Sequence, residues 1–319
     1  RKTVDIAAVA KSSPGRSRKR SKTDGDEASR QPHQENTRRR VICGTSGYSY
    51  AHWNKGVYYP PGKSSKQWEY YSSEFHAVEL NATFYRWQKQ ITWQSWHDRA
   101  EKVEGGTTFT YAVKAHQYFT HWRLLTVDAA FVEKFRGFVN DCRLLGTHLG
   151  AIIMQFPPKL VCTDTTLGRL EQFGQLVQRI NHEEETTRRD AAPLRVALEF
   201  RHKSWFVQRV SDLAKEYNLC VCLVHLVNKR PAKWADAMPS GYSPKLEEYP
   251  FDACNWGAYA RFHGTIGQYE GAYTDETLDN FLAKSETTHG DLFVFFNNTD
   301  DGHPPSAIHD ARHICQATR

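Results

Sequence analysis

The stretch Leu194-Arg-Val-Ala-Leu-Glu-Phe-Arg201 (LRVALEFR) decides how the chain reads. Side chains alternate along a strand, so Leu194, Val196, Leu198 and Phe200 share one face, and Ala197, Glu199 and Arg201 share the other. The first face is wholly apolar. From Ala197 onward, the second runs from a small residue to a carboxylate and a guanidinium. A strand with one face in water carries polar residues along that whole face. This run instead predicts a strand covered on both faces whose C-terminal end is polar.

Outward from it, seven more runs read as strands: 41–45, 77–81, 108–114, 150–155, 219–225, 258–263 and 291–297. Helical periodicity occupies 65–75, 91–101, 128–145, 164–181, 205–217, 275–286 and 305–316. Its clearest stripes are Phe131, Phe135, Phe138 and Leu145, then Leu167, Leu170, Phe173, Leu176 and Ile180. Asp128 and Asp164 stand where N-caps are expected. Eight strands alternating with helices predict the α/β class and a single (β/α)8 barrel of the TIM type over residues 41–319. The competitor is a doubly wound open sheet. It would carry a glycine-rich phosphate turn after its first strand, and CGTSGYSY at 43–50 is not G-x-G-x-x-G. Residues 226–257, with Pro231, Pro239, Pro244 and Pro250, read as a long irregular excursion.

Charge divides the chain differently. Of 319 residues, 42 are basic and 36 acidic, a net of +6. Residues 1–40 hold twelve basic and five acidic residues, a net of +7, and none of the aromatics; the other 279 residues sit at −1. A segment with so little apolar surface cannot offset the entropy of ordering, so a disordered basic tail is expected. Arg16–Lys22 and Arg38–Arg40 resemble nuclear-localisation patches, against the plain alternative of a solvated tail. Five acids argue against a mitochondrial presequence. Backbone contacts to nucleic acid through the tail would be salt-sensitive and sequence-blind. No apolar run approaches the roughly 20 residues of a membrane helix. Seven scattered cysteines without CxxC fit free thiols in a reducing compartment, nucleus or cytoplasm. Nothing in the sequence indicates an oligomeric state.

Parity tracked along the other strands repeats the opening pattern. Glu79 and Asn81 oppose Val78 and Leu80; Lys114 shares a face with Thr110 and Ala112. Tyr259, Arg261 and His263 oppose Phe262, and Asn297 falls with Phe293 and Phe295. Ser46, Gln155 and His225 close strands one, four and six. These polar ends define a ring at the C-terminal mouth, where active sites of such barrels sit. The plain alternative is that they pair with each other to fill the top layer.

Each residue type in the ring has a chemistry. Glu79 and Glu199 can act as acid and base, or as nucleophile and acid, and neighbouring cations should keep both ionised. His263 then becomes the proton shuttle. Lys114, Arg201 and Arg261 would clamp an anion through charge-assisted bonds. Asn81 and Asn297, with Asn298, would orient a substrate hydroxyl or carbonyl. Tyr48 and Tyr85, among Tyr50, Trp53 and Trp87 in the first two βα loops, would stack a base or sugar, or else fill the core. His116, His121 and His202 lie in adjoining loops, the first two too far apart for a helical ligand pair. His202, His263, Glu79 and Glu199 are metal-ligand types, but no HExxH spacing occurs and the cations oppose a divalent ion, so no cofactor is assigned and a divalent metal stays as the alternative. Cys43 points away from Gly44 and Ser46, and Cys220 and Cys222 read as small buried residues.

VICGTSGYSYAHWNKGVYYPPG, YYSSEFHAVELNATFYRW, FTYAVKAHQYFTHWRLL, LGAIIMQFPP, ALEFRHKSW, YARFHG and FVFFNNT follow in order between residues 41 and 315. Together they resemble the YecE-like family, domain of unknown function 72. The resemblance implies a TIM-barrel-like fold and supplies no reaction. It excludes the tail, and the 226–257 segment and His225 depart from the usual pattern. The combined expectation is an enzyme, hydrolase or lyase, acting on a phosphate-bearing or otherwise anionic sugar or nucleotide. One alternative is a non-catalytic binding protein for an anionic metabolite. Another is a nucleic-acid-processing protein whose mouth takes an extruded nucleotide.

Overall fold

The computed structural model describes residues 39–62, 66–104, 108–187, 192–226, 254–267, 269–297, 302 and 304–318. Residues 1–38 of the expected tail, most of the 226–257 excursion and Asn298 lie outside the described residues; Arg40, assigned to the tail, instead pairs with Asp291. The strands are β1 (Val41–Ser46), β2 (Ala77–Leu80), β3 (Thr110–Lys114), β4 (Leu149–Gln155), β5 (Val196–Glu199), β6 (Cys220–Val221), β7 (Leu223–His225), β8 (Gly257–Phe262) and β9 (Asp291–Phe296). The helices are α1 (Gln67–Ser72), the short α2 (Ala82–Tyr85), α3 (Gln90–Ala100), α4 (Ala129–Cys142), α5 (Asp164–Thr187), α6 (Gln208–Glu216), α7 (Asp275–Ser285) and α8 (Ser306–Ala317).

All pairings are parallel, in the order β6-β5-β4-β3-β2-β1-β9-β8-β7. The two ends of that order are halves of one chain run, residues 220–225, interrupted at Cys222. Cys222 itself still donates its N–H to the Leu198 carbonyl of β5 at 2.9 Å. The sheet therefore meets itself and forms the eight-position barrel expected from the strand count.

Two apolar layers follow from the alternation. Val78, Leu80, Val113, Val196, Leu198 and Phe200 point outward into a core shared with the helices, where Phe131, Phe135 and Phe138 of α4 are buried. Burying each such phenylalanine stabilises by about 1.5–3 kcal/mol relative to leaving it exposed. Ile42, Ala77, Ala112, Ile153, Ala197, Phe293 and Phe295 point inward and fill the barrel. Small residues are required where large ones cross the axis: a Cβ at Gly150 would lie 2.7 Å from the Phe293 ring. At Gly44 a Cβ would lie 2.0 Å from the Ala77 carbonyl, because the Tyr71 hydroxyl is wedged between β1 and β2. That hydroxyl accepts from Thr45 N–H and donates to Ala77 O, both at 2.9 Å. Regular pairing resumes only at Thr45–Val78 and Ser46–Glu79, which sets Ser46 beside Glu79 at the mouth.

Of the two expected caps, Asp128 caps α4 by accepting from Phe131 N–H at 2.9 Å. Asp164 does not cap α5; it is the first helical residue and bonds to Arg209. The cap lies one residue earlier, where Thr163 and Thr166 exchange N–H to hydroxyl bonds of 2.8 and 3.3 Å.

Candidate active site

The barrel mouth is organised around one guanidinium. Arg261, near the end of β8, is buried at 2% exposure and reaches across the axis. Its Nη2 donates to Glu79 Oε1 of β2 at 2.7 Å and lies 3.4 Å from Ser46 Oγ of β1; its Nη1 donates to Glu199 Oε2 of β5. A single side chain thus bridges two carboxylates on strands that are not neighbours. The other oxygens are also taken. Tyr259 donates its hydroxyl to Glu79 Oε2 at 2.8 Å, and Arg201 Nε donates to Glu199 Oε1. Arg201 then donates through Nη2 to His263 Nε2 at 3.2 Å, and the Asn297 amide contacts the same imidazole. Arginine can only donate, so Nε2 accepts from Arg201, while the Asn297 amide nitrogen lies against Nδ1.

Electrostatics follow from this packing. Burial alone would raise the Glu199 carboxyl, but Arg201, Arg261 and Lys114 outweigh it and bring it down to about 2. His263 is pushed well below the usual imidazole range by burial and by Arg201, Arg261 and Lys114, so it is neutral near pH 7. Burial raises the Tyr259 hydroxyl, with Glu79 adding to the effect, and it remains a donor. Lys114, at the end of β3, is different. Burial and the Arg261 charge lower its ammonium to about 7, against the opposing pull of Glu199 and Glu79. Its Nζ lies 4.4 Å from the centroid of the Phe84 ring, and its carbonyl accepts from Thr83 Oγ1 at 2.6 Å. Among the described residues Lys114 makes no ion pair.

Two polar atoms in the region lack a partner among the described residues: Arg261 Nε and Asn81 Oδ1. Tyr50 lies over the same side. It donates its hydroxyl to the Ser46 carbonyl and is hydrogen-bonded to Asn81.

Residues 42–319 match the sequence profile of the family described as protein of unknown function DUF72. The chain belongs to the DUF72 family. The UPF0759 protein YunF of Bacillus subtilis (strain 168) is 25% identical in an alignment 271 residues long that covers 77% of this chain and 85% of YunF. The crystal structure of a DUF72 family protein from Thermotoga maritima MSB8 superposes with a TM-score of 0.61 at 22% identity, covering 87% of this chain and 98% of that one. A DUF72 family protein from Enterococcus faecalis V583 gives 0.64 at 17% identity, with 87% and 95% coverage. These likenesses carry the fold; the chemistry rests on this chain's own residues.

Measured against the sequence reading, the DUF72 barrel brings Glu79, Glu199, Arg201, Arg261, His263 and Asn297 into one hydrogen-bonded network, with Lys114 and Asn81 at its edge. Other expected members go elsewhere. Tyr48 is turned away from the ring: it packs edge-on to Trp68 at 5.5 Å, and Arg99 of α3 approaches its hydroxyl at 3.5 Å. The aromatic-filler alternative therefore describes it, and Tyr50 takes the mouth-facing place. Tyr85 is 65% exposed on the rim, against Phe84. His225 shares parity with outward-facing Leu223, not with Val224, and contacts the Tyr273 hydroxyl outside the ring. His202 accepts from Ser204 N–H and caps the turn Lys203–Trp205. His116 stacks on Trp87 at 4.0 Å. Cys43 points outward toward the Ala311 carbonyl of α8.

Tyr259 and Phe84 were not singled out from sequence. Tyr259 was reachable, standing two residues before Arg261 on the same strand face. Phe84 carries no such signal, because the short α2 turn that brings it under Lys114 is not encoded in a strand pattern. No three members of the ring converge as metal ligands. Among the described residues one group of three does, His97, Glu101 and His148, with ligand atoms within 4.8 Å at the opposite end of the barrel.

Proposed function

We propose that this DUF72 chain is an enzyme of the hydrolase or lyase type that acts on a phosphate-bearing or otherwise anionic sugar or nucleotide at the C-terminal mouth, with the lyase branch favoured. The observation that carries this reading is the Arg261 bridge between Glu79 and Glu199 beside an amine that has no carboxylate of its own. Burying several charges costs folding energy that an apolar plug would not, and apolar replacement of buried ion pairs is often neutral or stabilising. A network of this kind at the mouth is a functional-site signature.

Two glutamates and two arginines cancel, so the ring turns cationic when Lys114 is protonated, which suits an anion held by Lys114, Arg201 and the spare Nε of Arg261. Hydrolysis by a carboxylate pair needs one protonated acid. Glu199, at about 2, cannot be that acid and is also a weak base. With all four carboxylate oxygens engaged, Glu79 and Glu199 serve to position the guanidinium groups. Lys114 is the ring member whose titration falls near neutrality, as proton transfer at pH 7 favours. The same occupancy of the carboxylates favours a second reading, a non-catalytic receptor for an anionic metabolite.

Calorimetry and thermal melting with inorganic phosphate, glucose 6-phosphate and glucose test the anion. Both phosphates should bind and raise the melting temperature, with glucose inert and Arg201→Met abolishing the response. Equal behaviour of glucose and its phosphate, or no binding of either anion, sinks the proposal. Turnover of a phosphorylated substrate that is lost in Lys114→Met while binding survives separates enzyme from receptor.

A further inference from the structure

We propose that Lys114 is a covalent nucleophile, forming an imine with the aldehyde or ketone carbonyl of an anionic substrate. This rests on the anion-binding reading of the mouth and deepens it, because it assigns the substrate class: a carbonyl compound bearing a phosphate or carboxylate.

The case begins with position. Lys114 ends β3 on the same inward face as Ala112, so its amine enters the mouth from the barrel wall. It is 8% exposed, with the Phe84 ring on one side and its own carbonyl tied to Thr83 Oγ1. A buried lysine kept for stability would be expected to take a carboxylate partner. Two carboxylates are in the ring, and neither pairs with Lys114. Arg261 and Tyr259 occupy Glu79, and Arg261 and Arg201 occupy Glu199. The arginines thus intercept the anions and leave the amine unpaired among the described residues. They also oppose its protonation: burial and Arg261 act together to bring it to about 7, so a large share carries a lone pair at neutral pH. Desolvation and a neighbouring cation are how amines are activated as nucleophiles.

The step balances without a further reagent. The Nζ lone pair adds to the carbonyl carbon, and the C=O π electrons pass to oxygen, giving a carbinolamine once a proton moves from nitrogen to oxygen. Loss of that oxygen as water, with a second proton supplied, leaves the C=N bond. The protonated imine then accepts the electron pair of a C–H or C–C bond breaking at the adjacent carbon, giving an enamine, while the proton passes to a base or the carbon fragment leaves as a carbonyl compound; a proton returned to the enamine carbon regenerates the imine. Hydrolysis consumes the water and restores the amine. His121 is the imidazole on this side. Its ring is 4.9 Å from Phe84, and burial, followed by Lys114, Lys159 and Arg201, lowers it to about 4, so it is a neutral base. Ionised Glu199 supplies negative potential for the iminium.

The test is reductive trapping on the full chain. The protein is incubated with pyridoxal 5′-phosphate or glyceraldehyde 3-phosphate, reduced with borohydride, and mapped by peptide mass spectrometry, with inorganic phosphate as competitor. The expected result is one dominant adduct on Lys114, several-fold suppressed by phosphate and absent from Lys114→Arg and Lys114→Gln, whose folding is checked by circular dichroism. Adducts on exposed lysines such as Lys89 and Lys102 with Lys114 spared, while phosphate still raises the melting temperature, overturn the imine and leave the anion site standing. A Lys114 adduct indifferent to phosphate supports the amine and removes the anion reading. No Lys114 adduct and no phosphate response overturn both.

Discussion

At the mouth, Glu199 lies between Arg201 and Arg261; at the opposite end of the barrel, Asp291 lies between Arg195 and Arg40. Both are arginine–carboxylate–arginine triads, and both join strands across the barrel. Their surroundings differ. Side-chain exposure is 9%, 0% and 2% at the mouth, against 26%, 11% and 60% for Arg195, Asp291 and Arg40. The lower triad borders an opening of about 380 Å³ lined also by Ile42, Leu149 and Gly150, and water can screen it. The upper triad is buried and continues through Arg261 into Glu79 and Ser46 and through Arg201 into His263. Closing the end of a barrel requires only the lower kind. The upper kind costs desolvation, and what it obtains is a set of fixed donors and one amine with no ion pair among the described residues.

The largest expected effect breaks or confirms that contrast directly. Glu199→Gln leaves buried Arg201 without a carboxylate and Arg261 with Glu79 alone, and should cost about 3–5 kcal/mol. Asp291→Asn, whose partners can turn to water, should cost about 1 kcal/mol. Urea denaturation of both variants measures the difference. Equal losses would mean that the two triads are the same structural device. Acid acts on both in the same direction. Both carboxyls are held below their ordinary values, so the stability they add is complete above about pH 4.5 and is lost as pH falls through the native values.

Lys114 gives the opposite sign, and so the next test. Its ammonium is lowered from 10.5 to about 7, so between those values the unfolded chain holds a proton that the native state has released. Stability then rises with pH, by up to about 1.4 kcal/mol per unit. Below pH 7 both states are protonated and the burial cost is complete. Lys114→Met should therefore be more stable than the parent at pH 6, with the difference shrinking steadily toward pH 10. Denaturation of the pair across that range checks it, and a difference independent of pH would mean that the amine is not held neutral by the fold. No corresponding effect is expected from the lower triad, where no lysine is buried.

How far the two ends could be read from sequence follows from the physics of each. Strand parity is local, so the inward faces of β2, β3, β5, β8 and β9 were legible, and with them Glu79, Lys114, Glu199, Arg261 and Asn297. Parity failed at His225 because the polar residue closing that strand falls one position off the inward face. It could not say that Arg261 would span the axis, since that depends on side-chain length and on which opposite strands carry carboxylates. The expectation of His263 as proton shuttle likewise did not include its contact with Arg201, which the fold sets and parity does not. The lower triad was overlooked: Arg195 and Asp291 stand on the inward parity of their strands but at the N-terminal ends, opposite the mouth where a site was expected, and Arg40 precedes β1. Loop aromatics were the least legible. Tyr48 and Tyr50 differ only in which side of β1 their loop turns them toward.

The smallest expected effect sharpens the comparison through salt. Arg40→Gln removes a 60%-exposed partner of Asp291, while Arg195 still donates to that carboxylate at 2.8 Å. The loss should stay below about 1 kcal/mol in dilute buffer. It should fade toward zero near 1 M sodium chloride, where the screening length drops to about 3 Å. Arg261→Gln, which strips the shared donor from Glu79 and Glu199 at once, should keep its full penalty in the same salt because ions cannot enter the network. Measuring each variant against the parent at both salt concentrations cancels the general effect of salt on folding. A salt-sensitive Arg261 penalty would show that water and ions reach the mouth network freely, and the low dielectric on which the lowered Lys114 ammonium depends would not exist.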